Sequence, residues 1–367
     1  MYGYIFAQFP GWTTHYDTNT HDLRLRVDSV CSRIDVWGGG CQRESDPMPR
    51  IVDPETLLSM TISLICPACR AELDESKTDR CTCIGCGRVY PIEDRVLRLL
   101  ERTDEFYEGA YQNHLKFVPL SENLIHAWPL WLMHNGYLWA VRQYVPEGSV
   151  VVELGCAGGV AYFGKRYEMI GCDVSFSSLQ HLPGYKRGLQ ADASGCIPLQ
   201  DGSVDAVVSS YFWEHIPPNV KPAILRECQR ILKPGGKIVF LYDVETENPF
   251  IDKYKKRDRR LYDKLFIEGD GHFGYERPRD NLETFESLGF RIVDHSGKEK
   301  TFVQSPAVFT KLAQFGGMSG QVFQRARGLG HKPWFYAYTA LVRIVDEMVC
   351  PFLDESWARI DMVVAEK

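Results

Sequence analysis

Two pairs of cysteines carry the spacing of metal-binding knuckles. Cys66 and Cys69 are separated by two residues, Cys83 and Cys86 repeat that gap, and Cys81 lies between the pairs. Two such knuckles facing each other place four thiolates tetrahedrally around one Zn2+. The spacing favours Cys83 over Cys81 as the third ligand, and Gly87 permits the tight turn that brings backbone N–H groups to sulfur. A module of roughly forty residues buries too little surface to fold alone, and a structural metal contributing roughly 10–16 kcal/mol makes up the deficit. Redox chemistry and a thiol cluster without a ligand are the competing readings.

The second constellation is Val151-Val152-Glu153-Leu154 running into Gly155-Cys156-Ala157-Gly158-Gly159. Glycines after a strand let the backbone approach a ligand, and the opening turn of the next helix offers free N–H groups and a positive dipole end. Asp173 lies at the end of the next expected strand, where a carboxylate can accept both hydroxyls of a ribose. Asp192 falls where the third strand should end, placed to accept from a base edge. The dinucleotide pattern G-x-G-x-x-G is absent, since Ala157 follows Gly155 at the second glycine position.

Strand ends supply a third group. Tyr211, Glu214 and His215 follow the fourth expected strand, Tyr242 and Asp243 the fifth, and His272 lies in a later loop. His215 suits general-base work near neutral pH; the alternative is that Glu214-His215 only tie a helix to its loop. Lys253 to Arg260 is the one strongly basic run, suited to phosphate or to a solvated helix face.

A particular chain organisation is needed to position these groups. Strand and helix alternate from Ser149 to Tyr242: strands Ser149–Glu153, Met169–Asp173, Val204–Ser209 and Lys237–Tyr242, with helices Gly158–Tyr167 and Lys221–Leu232. That alternation is the pattern of a parallel sheet covered by helices. Arg291–Asp294 and Arg359–Ala365 read as further strands. Between them Trp334, Tyr338, Leu341, Val345 and Met348 form an apolar helical stripe expected to cover a pocket or face the core. The 367 residues carry a net charge of −6, which removes any global attraction to polyanions. Of the twelve cysteines, five lie between Cys66 and Cys86, unlike a secreted disulfide scaffold. With no signal-peptide pattern and no apolar run long enough to span a bilayer, the expected location is the cytoplasm.

These segments resemble the class I S-adenosylmethionine-dependent methyltransferases. VVELGCAGG is similar to that family's first motif, GCDVS to its second, and ADASGCIPLQDGSVDAVV to its adenine-side segment. WEHIPP, ILKPGGKIVF and HFGYERPRDNLETFESLGFRIVD resemble its later segments, in order and at the right spacing. Cys83–Leu100 is similar to the short zinc ribbon of tRNA-methyltransferase activators. The resemblance implies an α/β, Rossmann-like sheet, mostly parallel with its last strand antiparallel, plus an N-terminal zinc ribbon and a helical insert. The implied organisation is a poorly ordered extension over 1–60, the ribbon over 61–105 and a helical connector over 106–147. A methyltransferase domain over 148–367 follows, its insert at about 297–356.

The implied cofactors are S-adenosyl-L-methionine and structural Zn2+. Glu153, Gly155, Cys156 and Gly158 would shape the methionine pocket, Asp173 and Val174 the ribose side, Asp192 and Ala193 the adenine side. Tyr211 and His215 are the catalytic candidates. Ala157 departs from the family's usual glycine, at little cost if its φ is negative. N-P-P-Y, D-P-P-Y and a Pro-Cys nucleophile are all missing after the fourth strand, which disfavours base methylation. The expected activity is O-methylation of a small or carrier-linked metabolite; the alternatives are an RNA methyltransferase and a non-catalytic subunit. A protein partner, or self-association, is expected through the ribbon.

Overall fold

A computed structural model describes residues 62–101, 108, 130–317, 320–322 and 333–367. The extension expected over 1–60 and most of the connector lie outside the described residues. Eleven strands form one sheet among those described: β1 Leu73–Asp74, β2 Arg80–Cys83, β3 Val89–Glu93, β4 Val96–Arg98, β5 Val150–Leu154, β6 Glu168–Asp173, β7 Arg187–Gln190, β8 Val204–Ser210, β9 Leu232–Asp243, β10 Arg291–Lys298 and β11 Ile360–Glu366.

The central strand is β5, buried along its whole length. Val150, Val152 and Leu154 point into one apolar cluster and Val151 into another, the period-two alternation of a strand covered on both faces. One cluster is closed by the helices Lys221–Ile231 and Pro278–Ser287, through Ile224, Leu225, Cys228, Ile231 and Phe285. The other is closed by Tyr137, Val141 and Phe163 from the helices Tyr137–Tyr144 and Ala161–Gly164.

The spatial order is β1-β2-β3-β4-β7-β6-β5-β8-β9-β11-β10. From β4 to β9 the pairs are parallel, and β11 runs antiparallel between β9 and β10. The expected mostly parallel sheet with an antiparallel last strand is what the chain forms. The cysteine segment is sewn into this sheet, because β4 pairs with β7 in register Val96↔Gly188, Leu97↔Leu189 and Arg98↔Gln190. Arg70 adds a two-nitrogen salt bridge to Glu227 at 3.0 Å.

Two local expectations are corrected. The helix expected over Gly158–Tyr167 is only Ala161–Gly164, because Gly159 takes a positive φ of 67° and Val160 stays extended. In the helix Pro333–Met348, Leu341 and Met348 are exposed, whereas Val342, Arg343 and Asp346 are buried. Only part of the expected stripe turns inward: Tyr338 packs on Phe309 and donates to the Gln304 carbonyl at 2.8 Å, while Leu341 and Met348 do not. Arg343 pairs with Asp346 at 3.2 Å and donates to the Trp131 carbonyl, so a buried ion pair outweighs the apolar periodicity. No helix among the described residues is long and apolar enough to cross a membrane.

Candidate functional site

The strand-to-helix turn after β5 is built on three left-handed residues, Gly155 (φ 58°), Ala157 (φ 46°) and Gly159 (φ 67°). A side chain at Gly155 would collide with the Phe212 ring, so glycine is required there by packing as well as by φ. Ala157 overturns the expectation of a negative φ: the methyl group sits in a strained backbone region. Asp173, at the end of β6, fixes the strained turn by accepting Ala157 N–H on Oδ2 at 3.0 Å. Its Oδ1 accepts Ser175 N–H at 2.9 Å. Burial raises the Asp173 carboxyl, and these amides oppose the shift.

Beneath the turn, the buried Glu153 carboxylate accepts the Tyr185 hydroxyl, and Tyr185 Oη accepts Val160 N–H at 2.9 Å. Burial pushes Glu153 up to about 8, against the pull of Tyr185.

A cleft of about 140 Å³ opens over the carboxyl ends of the strands. Among the candidates from the sequence, Gly155, Asp173, Val174, Asp192, Ala193, Tyr211 and His215 line it. Glu153, Cys156 and Gly158 are not in its lining; Glu153 acts from below through Tyr185. Ala191, Ile216, Val220 and Ile224 supply apolar walls. Each Asp173 oxygen has a second lone pair beyond its amide bond. A carboxylate with spare acceptor capacity, set in an apolar-walled cleft at a strand end, fits an adenosyl cofactor. Glu108, which sequence reasoning missed, accepts Ser177 N–H at 3.2 Å beside this cleft. Its signal is out of reach at that distance along the chain.

The end of the cleft lined by Tyr211 and His215 is held by a dense set of contacts. Tyr211 also has positive φ (54°), and its hydroxyl accepts from Asn135 at 2.5 Å. Trp213 packs against Phe240 and Phe285 and donates to Asn281 at 2.8 Å. The buried Lys221 ammonium donates to Asn281, to the Gly274 carbonyl and to Glu276. Gly274 N–H in turn donates to the Glu214 carbonyl at 2.8 Å. This network clamps the loop carrying His272 onto the turn carrying Glu214 and His215. The two imidazole rings lie 5.3 Å apart, edge to face. His215 Nδ1 sits 3.0 Å from the Gly271 carbonyl. Burial lowers His215, and lowers His272 to about 4, so both rings are neutral near pH 7. Burial, with the Asp243 charge, holds Glu214 well above its ordinary range.

In the N-terminal module the sulfurs of Cys66, Cys69, Cys83 and Cys86 all lie within 4.8 Å of one another. Cys66 and Cys86 are 3.8 Å apart, and a tetrahedral ion about 2.3 Å from each sulfur separates them by about 3.8 Å. Cys86 N–H donates to Cys83 Sγ at 3.3 Å and pulls that thiol down to about 6. Cys81 lies outside the cluster, buried and pushed up to about 11. The four-sulfur arrangement fits a thiophilic divalent ion.

Residues 152–240 match the family model described as a methyltransferase domain. The chain is 32% identical over 163 residues to a ubiquinone biosynthesis O-methyltransferase of Xanthomonas axonopodis pv. citri (strain 306), covering 41% of this chain and 66% of that protein. It is 27% identical over 190 residues to phosphoethanolamine N-methyltransferase 3 of Arabidopsis thaliana, covering 45% of this chain and 38% of that one. It thus spans less than two thirds of these relatives' length. A solved structure of the cyclopropane synthase MmaA2 from Mycobacterium tuberculosis has a TM-score of 0.41 at 12% identity, covering 69% of this chain and 88% of that chain. With the motif order and the matched segment in agreement, residues 152–240 form a methyltransferase domain similar to those of the class I S-adenosylmethionine-dependent methyltransferases.

Proposed function

We propose that this chain methylates an oxygen of a small or carrier-linked metabolite. The observation that carries the proposal is the shared cleft: Asp173 lines one part of it and His215 and Tyr211 another. Asp173 would hold the ribose, Asp192 and Ala193 the adenine side, and Gly155 with its neighbours the methionine end. Bound there, S-adenosylmethionine supplies a methyl group activated by its sulfonium. The chain's own contribution is orientation, and exclusion of water by Phe212 and Ile216. His215 keeps a neutral ring with Nε2 able to take or steer the acceptor's proton.

Zn2+ on Cys66, Cys69, Cys83 and Cys86 would be structural, the ribbon remaining available to a protein partner or a second copy. The cysteine usage supports a cytoplasmic location. Against the RNA reading, three of the six cations in the basic run are paired within the fold. Lys255 pairs with Glu245 at 2.7 Å, Lys256 with Asp252 at 2.5 Å and Arg259 with Asp263 at 2.8 Å.

The test is methylation of a cell extract with cofactor labelled on the methyl group. The expected product is a labelled, alkali-stable O-methyl metabolite in the small-molecule fraction. Label confined to RNA would replace the proposal with the RNA reading. Tight cofactor binding with no label transferred would favour a non-catalytic subunit.

A further inference from the structure

Beside the cofactor cleft, Glu214, His215 and His272 bring a carboxylate oxygen and two ring nitrogens within 4.8 Å of one another. Glu214 is only 1% exposed, and neither of its carboxylate oxygens has a hydrogen-bond partner. His272 is 6% exposed and its Nδ1 is likewise unpartnered. Three buried polar atoms without partners, the two Glu214 oxygens and His272 Nδ1, are costly unless something sits between them that satisfies them. The Gly271 carbonyl can only accept, so His215 Nδ1 carries the ring proton and Nε2 keeps its lone pair. That is how ligating histidines are commonly fixed, with the far ring nitrogen donating to a backbone carbonyl.

We propose that Glu214, His215 and His272 form a binding site for one divalent transition-metal ion at the acceptor end of the cleft. Two imidazoles and one carboxylate suit Mn2+, Fe2+, Ni2+ or Zn2+ and leave positions open on a six-coordinate ion. The site is separate from the cysteine cluster and differs from it in chemistry, since it has no sulfur. Its use rests on the methyltransferase reading: because His215 also lines the cofactor cleft, an acceptor with two neighbouring oxygens, such as a vicinal diol or a catechol, would chelate the ion with the reacting oxygen turned toward the cofactor. The ion would then ease loss of the hydroxyl proton to water. With the ion bound, His215 would steer the acceptor's proton through the metal.

The test is a titration of the full chain with Mn2+ alone, followed by loss of the free-ion electron paramagnetic resonance signal, without cofactor or acceptor. Mn2+ is chosen because it prefers oxygen and nitrogen to thiolate. One bound Mn2+ per chain is expected in wild type and in Cys69→Ser, weakened at least tenfold in Glu214→Gln and in His272→Asn. Near-ultraviolet circular dichroism checks that each variant is folded, and either one suffices for the comparison. No Mn2+ binding by wild type, or equal binding by the folded variants, overturns the site. S-adenosylmethionine binding, measured separately by calorimetry, reports on the methyltransferase reading alone.

Discussion

Tyr185 donates its hydroxyl to the buried carboxyl of Glu153 and with the same oxygen holds the Val160 amide, so one tyrosine ties the floor of the turn after β5 to its far end. The consequence is a pH dependence. Glu153 is raised from 4.5 to about 8 in the folded chain, so between those values the native state holds a proton that the unfolded state has lost. Its burial penalty is absent below about pH 4.5 and grows as pH rises through about 8, at most about 1.4 kcal/mol per pH unit. Glu153→Gln keeps the acceptor for Tyr185 and removes the titration. Urea unfolding at pH 5 and pH 8 should show a smaller loss of stability in the variant than in wild type, and parallel profiles would refute the assignment.

Asp173, proposed to hold the ribose, also fixes the turn through its bonds to Ala157 and Ser175. Asp173→Ala should weaken S-adenosylmethionine binding about tenfold or more by calorimetry. Asp173→Asn, which retains one acceptor, should fall between the two. Unchanged affinity in the alanine variant would remove Asp173 from the site.

Ala157 is held at φ 46° without the freedom of glycine. Ala157→Gly should therefore raise stability by on the order of 0.5–1 kcal/mol, the relieved strain exceeding the entropy that glycine adds to the unfolded chain. Ala157→Val should lower it. A destabilised glycine variant in thermal unfolding would mean that the turn is not left-handed at this residue in solution.

Metal analysis of the purified chain should find one zinc bound by thiolates, absent from Cys69→Ser. That variant should lose protease resistance in the module around β1 to β4 first. A metal-free wild type with undiminished stability would overturn the ribbon.

Arg343 and Asp346 form an ion pair at 3.2 Å, with both side chains 1% exposed. Arg343→Met strands the carboxylate, and the expected loss is about 3–5 kcal/mol in urea unfolding. Pairing it with Asp346→Leu should recover most of that loss. Additive losses in the double variant would show that the pair is not coupled.

Much of the sheet is legible in the sequence because it depends on local spacing. The apolar run Val150–Leu154, the turn glycines and Asp173 are set by residues close together along the chain. The left-handed φ of Ala157 is not legible, since alanine alone gives no sign that Asp173 will hold its amide. The inward face of Pro333–Met348 was misjudged in part for a similar reason. Apolar periodicity gives no weight to Arg343, whose partner on the connector, the Trp131 carbonyl, lies more than two hundred residues away. His215 and His272 were each visible, but only the network from Lys221 through Asn281 and Gly274 brings them together. Glu108 carried no signal at all.

The parallel pairing of β4 with β7 does more than attach the cysteine segment. It occupies the backbone donors and acceptors along one side of Arg187–Gln190, which would otherwise form an open sheet edge. Chelators or oxidants that unfold the segment would uncover that edge to strands from other chains. Visible self-association, concentration-dependent and reversed by restoring thiols and metal, should then follow. The cysteines would in that sense guard solubility, with the cell's thiol balance deciding how much of the protein remains dispersed.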